Sequence, residues 1–192
     1  EDLQPVRSYK LRGAYNKIVL LSDKEKSRGV VCASAGNHAQ GVAYTCNKLD
    51  IKGTIFMPIT TPPQKTKQVK LFGKDKVDIV LKGNSLDDAF SEANRFCEED
   101  GAVFIHPFDD EKIIAGQGTI GLELLEDCDK PIDYLFVPIG GGGLASGIIS
   151  VFKELSPHTK IIGVEPVGAA SMKTAIEKGK IVTLEDIDNF VD

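Results

Sequence analysis

The sequence of 192 residues predicts an α/β fold with largely parallel strands. Short apolar runs alternate with longer amphipathic ones along the chain, the pattern of successive βα units. Glycines and small polar capping residues stand at many of the joins. No internal repeat or low-complexity linker interrupts the alternation.

The elements follow in order. Ser8 is placed as an N-cap, and Leu11, Ala14, Tyr15, Ile18 and Leu21 recur on one helical face behind it. Val30 to Ala33 reads as a short strand. It leads through Ser34-Ala35-Gly36-Asn37-His38 into a helix ending near Leu49. Thr54 to Met57 is the next strand, and Thr61-Pro62 reads as cap and first position of a helix ending near Gly73. Val77 to Leu81 is a strand, and Ser85 opens a helix to about Glu99, with Gly101 closing it. Ala102 to Ile105 gives a strand and Glu111 to Asp127 a helix. Tyr134 to Ile139 reads as a buried strand, followed by four consecutive glycines at 140–143 and a helix from Leu144 to Leu155. Lys160 to Val164 is a last strand and Ala170 to Lys178 a last helix. The turn Phe108-Asp109-Asp110 is the best-marked crossing between domains.

Composition narrows the function. A hydrophobic content of 42% is ample for a core, and a net charge of −5 gives no pull toward nucleic acid or an anionic membrane. No apolar run approaches the roughly 20 residues that span a bilayer. Cys32, Cys46, Cys97 and Cys128 are widely spaced and form no C-x-x-C pair. Reduced thiols in a cytoplasmic protein are therefore expected, and three histidines without ligand spacing suggest no zinc site.

Three constellations could carry chemistry. In Gly140-Gly141-Gly142-Gly143-Leu144, a strand-to-helix turn lets backbone N–H groups converge on an anion, most simply a phosphate. The same run fits the dinucleotide pattern through Gly140, Gly142 and Ala145, with Glu165 where a ribose-binding acid would sit, so that reading stays open from this window alone. In Ser8-Tyr9-Lys10-Leu11-Arg12-Gly13, a lysine lies in the first helical turn, where the positive end of the helix dipole disfavours its charged form. A neutral amine is what attack on a carbonyl requires. In Ser34-Ala35-Gly36-Asn37-His38-Ala39-Gln40-Gly41, a polar loop before a helix offers backbone and amide donors suited to a carboxylate.

Taken together, S-Y-K-L-R-G, S-A-G-N-H-A-Q-G and G-G-G-G-L, in this order, resemble the fold-type II pyridoxal-phosphate enzymes. Within them the chain is similar to the threonine dehydratase (threonine deaminase) family, its biosynthetic bacterial form first. Glu1-Asp2-Leu3-Gln4-Pro5-Val6-Arg7-Ser8, Phe56-Met57-Pro58, Ala115-Gly116-Gln117-Gly118-Thr119 and Gly163-Val164-Glu165-Pro166 also fit, so the resemblance covers essentially the whole chain. It implies two lobes, each with a mainly parallel sheet flanked by helices: a small lobe at 29–110, and an incomplete larger one from 1–28 and 111–192. Lys10 would carry pyridoxal 5'-phosphate covalently and, once freed, act as the base at the substrate Cα. Tyr9 would lie beside the cofactor ring, Asn37 would bond its 3′-oxygen, and Gly140, Gly141, Gly142, Gly143 and Leu144 would bind its phosphate. Ser34, Ala35, Gly36 and His38 would receive the substrate carboxylate. The implied reaction turns L-threonine into 2-oxobutanoate and ammonia, the first step toward isoleucine, and L-serine into pyruvate.

The resemblance leaves some residues without a site role. Glu165 matches a carboxylate that ligates a divalent cation in related serine racemases, but Ser171 stands where their pattern has Asp, so no metal is assigned. Gln117 and Thr119 are read as packing between domains, and His106 and His158 as structural. The chain starts at Glu1 and stops at Phe190-Val191-Asp192, and both read as cuts within a longer homo-oligomeric protein. The residue that bonds the pyridine nitrogen in the family has no match before Asp192. On that reading the isolated chain turns over little or nothing. A serine racemase or catabolic serine-threonine dehydratase, a dinucleotide-binding domain and an inactive cofactor-binding fragment are the alternatives.

Overall fold

A computed structural model describes residues 1–184 and 187–188; the close of the chain at Phe190-Val191-Asp192 lies outside them. The chain divides into two compact units, Glu1–Gly116 and Gln117–Asp192. The first holds helices α1 (Lys10–Val19), α2 (Asp23–Arg28), α3 (Asn37–Leu49), α4 (Pro63–Gly73) and α5 (Leu86–Asp100). Its strands are β1 (Val30–Ala33), β2 (Gly53–Met57), β3 (Val77–Leu81) and β4 (Val103–Phe104). They form one parallel sheet in the order β3-β2-β1-β4.

Both faces of this sheet are covered, and the period-2 alternation of strand side chains assigns each residue to a face. On one face Val30, Cys32, Ile55 and Met57 pack with Ala14 and Ile18 of α1 and with Ala39, Val42, Ala43 and Cys46 of α3. On the other, Val31, Ala33 and Phe56 pack with Ala89 and Ala93 of α5. All four residues of β1 are buried, as a central strand between two helical layers requires.

The second unit contains β5 (Tyr134–Pro138), α7 (Gly143–Leu155), β6 (Lys160–Val164) and α8 (Ser171–Lys178). Helix α6 (Glu111–Asp127) contains the division between the units. Strands β5 and β6 pair in parallel, from Tyr134 with Lys160 to Pro138 with Val164.

Several boundaries differ from the expectations, each for a local reason. Helix α2 was not foreseen, although Ser22 and Glu25 form a complete capping box: the Ser22 hydroxyl accepts from Glu25 N, and Glu25 accepts from Ser22 N. The N-cap of α1 is Tyr9, already in helical geometry, and the Ser8 hydroxyl instead accepts from Lys10 N at 3.3 Å. Helix α4 starts at Pro63 with Pro62 as its cap, because a residue that precedes proline is pushed out of the helical region. Strand β5 is not buried throughout: Val137 is buried while Tyr134, Phe136 and Pro138 are exposed, because these three alternate onto one face of the strand and Leu135 and Val137 onto the other.

The contact division also groups the chain differently from the expected 1–28 with 111–192. By contacts alone, residues 1–28 cluster with the four-stranded sheet, because α1 packs on α3. The division falls after Gly116 rather than at Phe108-Asp109-Asp110. Asp110 is held in the first unit by an ion pair with Lys17 at 2.7 Å, and its Oδ1 accepts from Lys112 N and Ile113 N at the start of α6.

Two glycines let α1 lie close to its neighbours. A Cβ added at Gly41 of α3 would sit 3.1 Å from Lys10 O and Leu11 N. One added at Gly116 of α6 would sit 2.7 Å from Arg12 O and Gly13 Cα, where backbone must move. Gly116→Ala should therefore cost about 2 kcal/mol or more in denaturant unfolding. Gly36→Ala, where an added Cβ meets nothing within 4 Å, should leave the midpoint much closer to that of the wild type.

Candidate active site

In the order β3-β2-β1-β4, the chain moves from β1 to one side for β2 and β3, then returns to the other side of β1 for β4. The carboxyl ends of β1 and β4 therefore flank a topological switch point, where open parallel sheets form a binding crevice. Two loops leave from there. Ser34-Ala35-Gly36 follows β1 into α3, and Ile105-His106-Pro107-Phe108 follows β4.

Lys10 is brought to the second of these loops. Its Nζ donates to the Pro107 carbonyl at 2.6 Å, across 97 residues of sequence. Burial pulls its pKa down to about 8. The shift runs in the direction the sequence argument expects, but burial is its cause here, in place of the helix dipole. Tyr9 lies beside it, with Lys10 Nζ 5.5 Å from the ring centroid, and burial raises the Tyr9 pKa.

The loop after β1 is organised from within. Ser34 Oγ accepts from Gly36 N at 3.2 Å, and Asn37 begins α3 with its side chain exposed. Gly36 is the N-cap of α3 and provides no side-chain cap, so the first-turn N–H groups lack that partner. The buried His38 turns its ring inward, where Nε2 meets the Ile105 carbonyl at 2.8 Å. A carbonyl only accepts, so Nε2 carries the proton. Burial is the main cause holding the His38 pKa down to about 3; its backbone hydrogen bond opposes this, and the nearby Lys10 charge adds to it. The ring is thus committed to Ile105, leaving the His38 backbone N–H as its donor to a ligand. The first unit brings Tyr9, Lys10 and the His38 loop together.

The glycine run belongs to the second unit. Gly142 is the N-cap of α7 at φ +87°, a left-handed conformation that side chains rarely adopt, and no side chain caps the helix. Gly140 and Gly141 are exposed, Gly143 and Leu144 are buried, and a Cβ added at Gly140 would meet nothing within 4 Å. Uncapped first-turn N–H groups behind an open glycine backbone suit an anion. Glu165 is otherwise engaged: its two oxygens accept from Met172 N and Lys173 N, both at 2.8 Å, at the start of α8. That use removes the support it lent to a ribose-binding acid. Among the described residues no cluster of three or more metal-ligating side chains occurs.

The Pro107 carbonyl was missed by the sequence reading, and nothing in the sequence marks it, because every residue carries a carbonyl. The lysine's environment predicts its reactivity. Lys10 should react with a small aldehyde, trapped by borohydride and mapped by peptide mass, with a half-maximal rate near pH 8. Below that pH the amine is protonated and inert; above it the amine is neutral. A half-point near the ordinary lysine value of 10.5 would remove the effect of burial.

Comparison with known proteins places the chain in a family. The chain is 56% identical over 192 residues to the biosynthetic L-threonine dehydratase IlvA of Halalkalibacterium halodurans, covering all of this chain and 46% of that protein. Against the protein of the same name from Bacillus subtilis it is 55% identical, with the same coverage. The chain thus spans about half the length of the curated relatives it matches. Among solved structures, the processed form of threonine deaminase isoform 2 from Solanum lycopersicum superposes with a TM-score of 0.95 at 48% identity, over 99% of this chain and 54% of that one. Maize serine racemase superposes at 0.92 with 39% identity, over 98% and 56%. The family described as pyridoxal-phosphate dependent enzyme matches residues 1–192, and the chain belongs to it.

Proposed function

We propose that this protein uses pyridoxal 5'-phosphate to convert L-threonine to 2-oxobutanoate and ammonia, and L-serine to pyruvate, as a threonine ammonia-lyase. One observation carries the reading: a half-buried lysine amine, with its pKa pulled down to about 8, sits at the switch point of a parallel α/β sheet in a chain 56% identical to a biosynthetic threonine dehydratase. The residues fit the cofactor on two counts. Lys10 supplies an amine that is neutral at mildly alkaline pH, and the α7 N-terminus supplies an uncapped, glycine-lined anion site.

When bound, pyridoxal phosphate supplies a carbonyl for an amine to attack and an electron-poor ring that stabilises negative charge at the substrate Cα. The proposed work of the protein is then divided among its own groups. Lys10 holds the cofactor and, as a free amine, takes the Cα proton. Tyr9 packs beside the ring and Asn37 donates to the 3′-oxygen. Backbone N–H groups of Gly140, Gly141, Gly142, Gly143 and Leu144 bind the phosphate. Ser34, Ala35, Gly36 and His38 receive the substrate carboxylate, His38 through its backbone.

For the whole protein we propose a small lobe at 29–110 and a cofactor lobe that includes 1–28 and 111–192. Closure of the four-stranded sheet within Val30–Phe104 supports the first of these. The whole protein is proposed to be a homo-oligomer acting on a small amino-acid substrate in the cytoplasm, where thiols such as its four free cysteines stay reduced. Among the described residues no helix is long and apolar enough to cross a membrane.

A serine racemase is the second reading, favoured by the TM-score of 0.92 with the maize enzyme. Racemisation and elimination both start by removal of the Cα proton, so product analysis separates them. The full-length protein should release 2-oxobutanoate from L-threonine, and Lys10→Ala should lower that rate by roughly three orders of magnitude or more. D-serine as the main product from L-serine, with no keto acid, would favour the racemase.

A further inference from the structure

We propose that His106 is a positioning residue for Lys10: its unprotonated Nδ1 closes the turn at 106–109, and the closed turn holds the Pro107 carbonyl against the lysine amine. The inference rests on Lys10 being the residue that captures the cofactor carbonyl.

A lysine side chain has four rotatable bonds and loses much rotamer freedom when fixed, so its aim depends on what its amine touches. Here the amine donates to Pro107 O at 2.6 Å. A neutral amine that gives one N–H to this carbonyl keeps its lone pair and second N–H for another partner. The position of that carbonyl therefore sets where the lone pair can point.

Proline has no N–H with which to anchor its own turn. The next two N–H groups, of Phe108 at 3.2 Å and Asp109 at 2.7 Å, both donate to Nδ1 of His106. One side-chain atom thus closes the turn around Pro107. A nitrogen that accepts carries no proton, and burial, the main cause, lowers the His106 pKa against the pull of Asp109 and Asp110. The imidazole is itself held edge-on by aromatic rings, with centroids 4.7 Å from Phe108 at 85°, 5.8 Å from Phe90 at 78° and 6.2 Å from Phe104 at 62°.

Both sides of the turn are pinned independently. The carbonyl of Ile105 accepts from His38, and Asp110 is paired with Lys17 at 2.7 Å. The slack between these anchors lies in the turn that His106 closes. Its sequence signal was weak, because a lone histidine without ligand spacing reads as structural.

The test uses the full-length protein freed of cofactor, with pyridoxal phosphate added and the visible band of the lysine-bound form followed in time. His106→Phe keeps an aromatic ring and removes the acceptor. His106→Asn puts Oδ1 at the same place in the side chain as Nδ1, so it can accept from the same N–H groups. His106→Phe is expected to slow capture about tenfold and to speed hydrogen exchange at Phe108 and Asp109 by a similar factor, as loss of the acceptor shared by both N–H groups implies. His106→Asn should restore both. If His106→Phe does not fold, His106→Gln, whose acceptor lies one bond farther out, replaces it with the same expectation. Capture at the wild-type rate by the acceptor-free variant would overturn the proposal, as would His106→Asn being equally slow or unchanged exchange at the two amides. A wild-type protein that forms no band would refute Lys10 as the capturing residue, and the exchange measurement would still decide the role of the turn.

Discussion

The first turn of α1 is held between two backbones, and the geometry around Lys10 depends on that constraint. Gly41 of α3 faces the backbone of Lys10 and Leu11, and Gly116 of α6 faces the backbone of Arg12 and Gly13. At Gly116 a side chain would force the backbone to move, and at Gly41 it would be tight. A helix packed this closely has little room to shift against its neighbours, because interiors are packed like crystals. The lysine therefore enters the switch point from a rigid element and spends its flexibility only in its own side chain. The sheet sets where the crevice is, and the two glycines set where the amine enters it.

The loop after β4 completes that placement by serving several elements at once. Its Ile105 carbonyl takes the His38 ring of α3, its Pro107 carbonyl takes the Lys10 amine of α1, and Asp110 takes Lys17 of α1. Each contact joins segments distant in sequence, and each involves a polar group removed from water. Such groups are costly to leave without partners, so the loop has few alternative arrangements. Burial then acts on the titratable groups in one direction. It pulls the pKa of Lys10 to about 8, lowers that of His106, and holds His38 neutral. Each of these shifts favours the neutral form, so Lys10 can give up its proton more readily than an exposed lysine and serve as a base at mildly alkaline pH.

Much of this was legible in the chain. The alternation of short apolar runs with amphipathic ones and the S-A-G-N-H loop marked the elements of the first unit, and the run of glycines marked the phosphate-binding candidate. Lys10 stood out through its neighbours rather than alone, and the same motifs pointed to the pyridoxal-phosphate family to which the chain belongs. Helix α2 escaped notice because its apolar pattern is thin, although its capping box was readable at Ser22 and Glu25. The late start of α4 was also readable, since Pro62 stands before Pro63.

By itself the sequence determined the α/β class and the order of most elements, and it singled out Lys10 and the two loops as candidates. These depend on local periodicity and on residue types with few alternative uses. The tertiary structure decided what burial does to Lys10, where the ring of His38 goes, which carbonyl meets the amine, and that Glu165 caps α8. The physical reason is that desolvation and backbone acceptors have no letter in the sequence. A carbonyl is present at every residue, and only folding brings the one at Pro107 to Lys10.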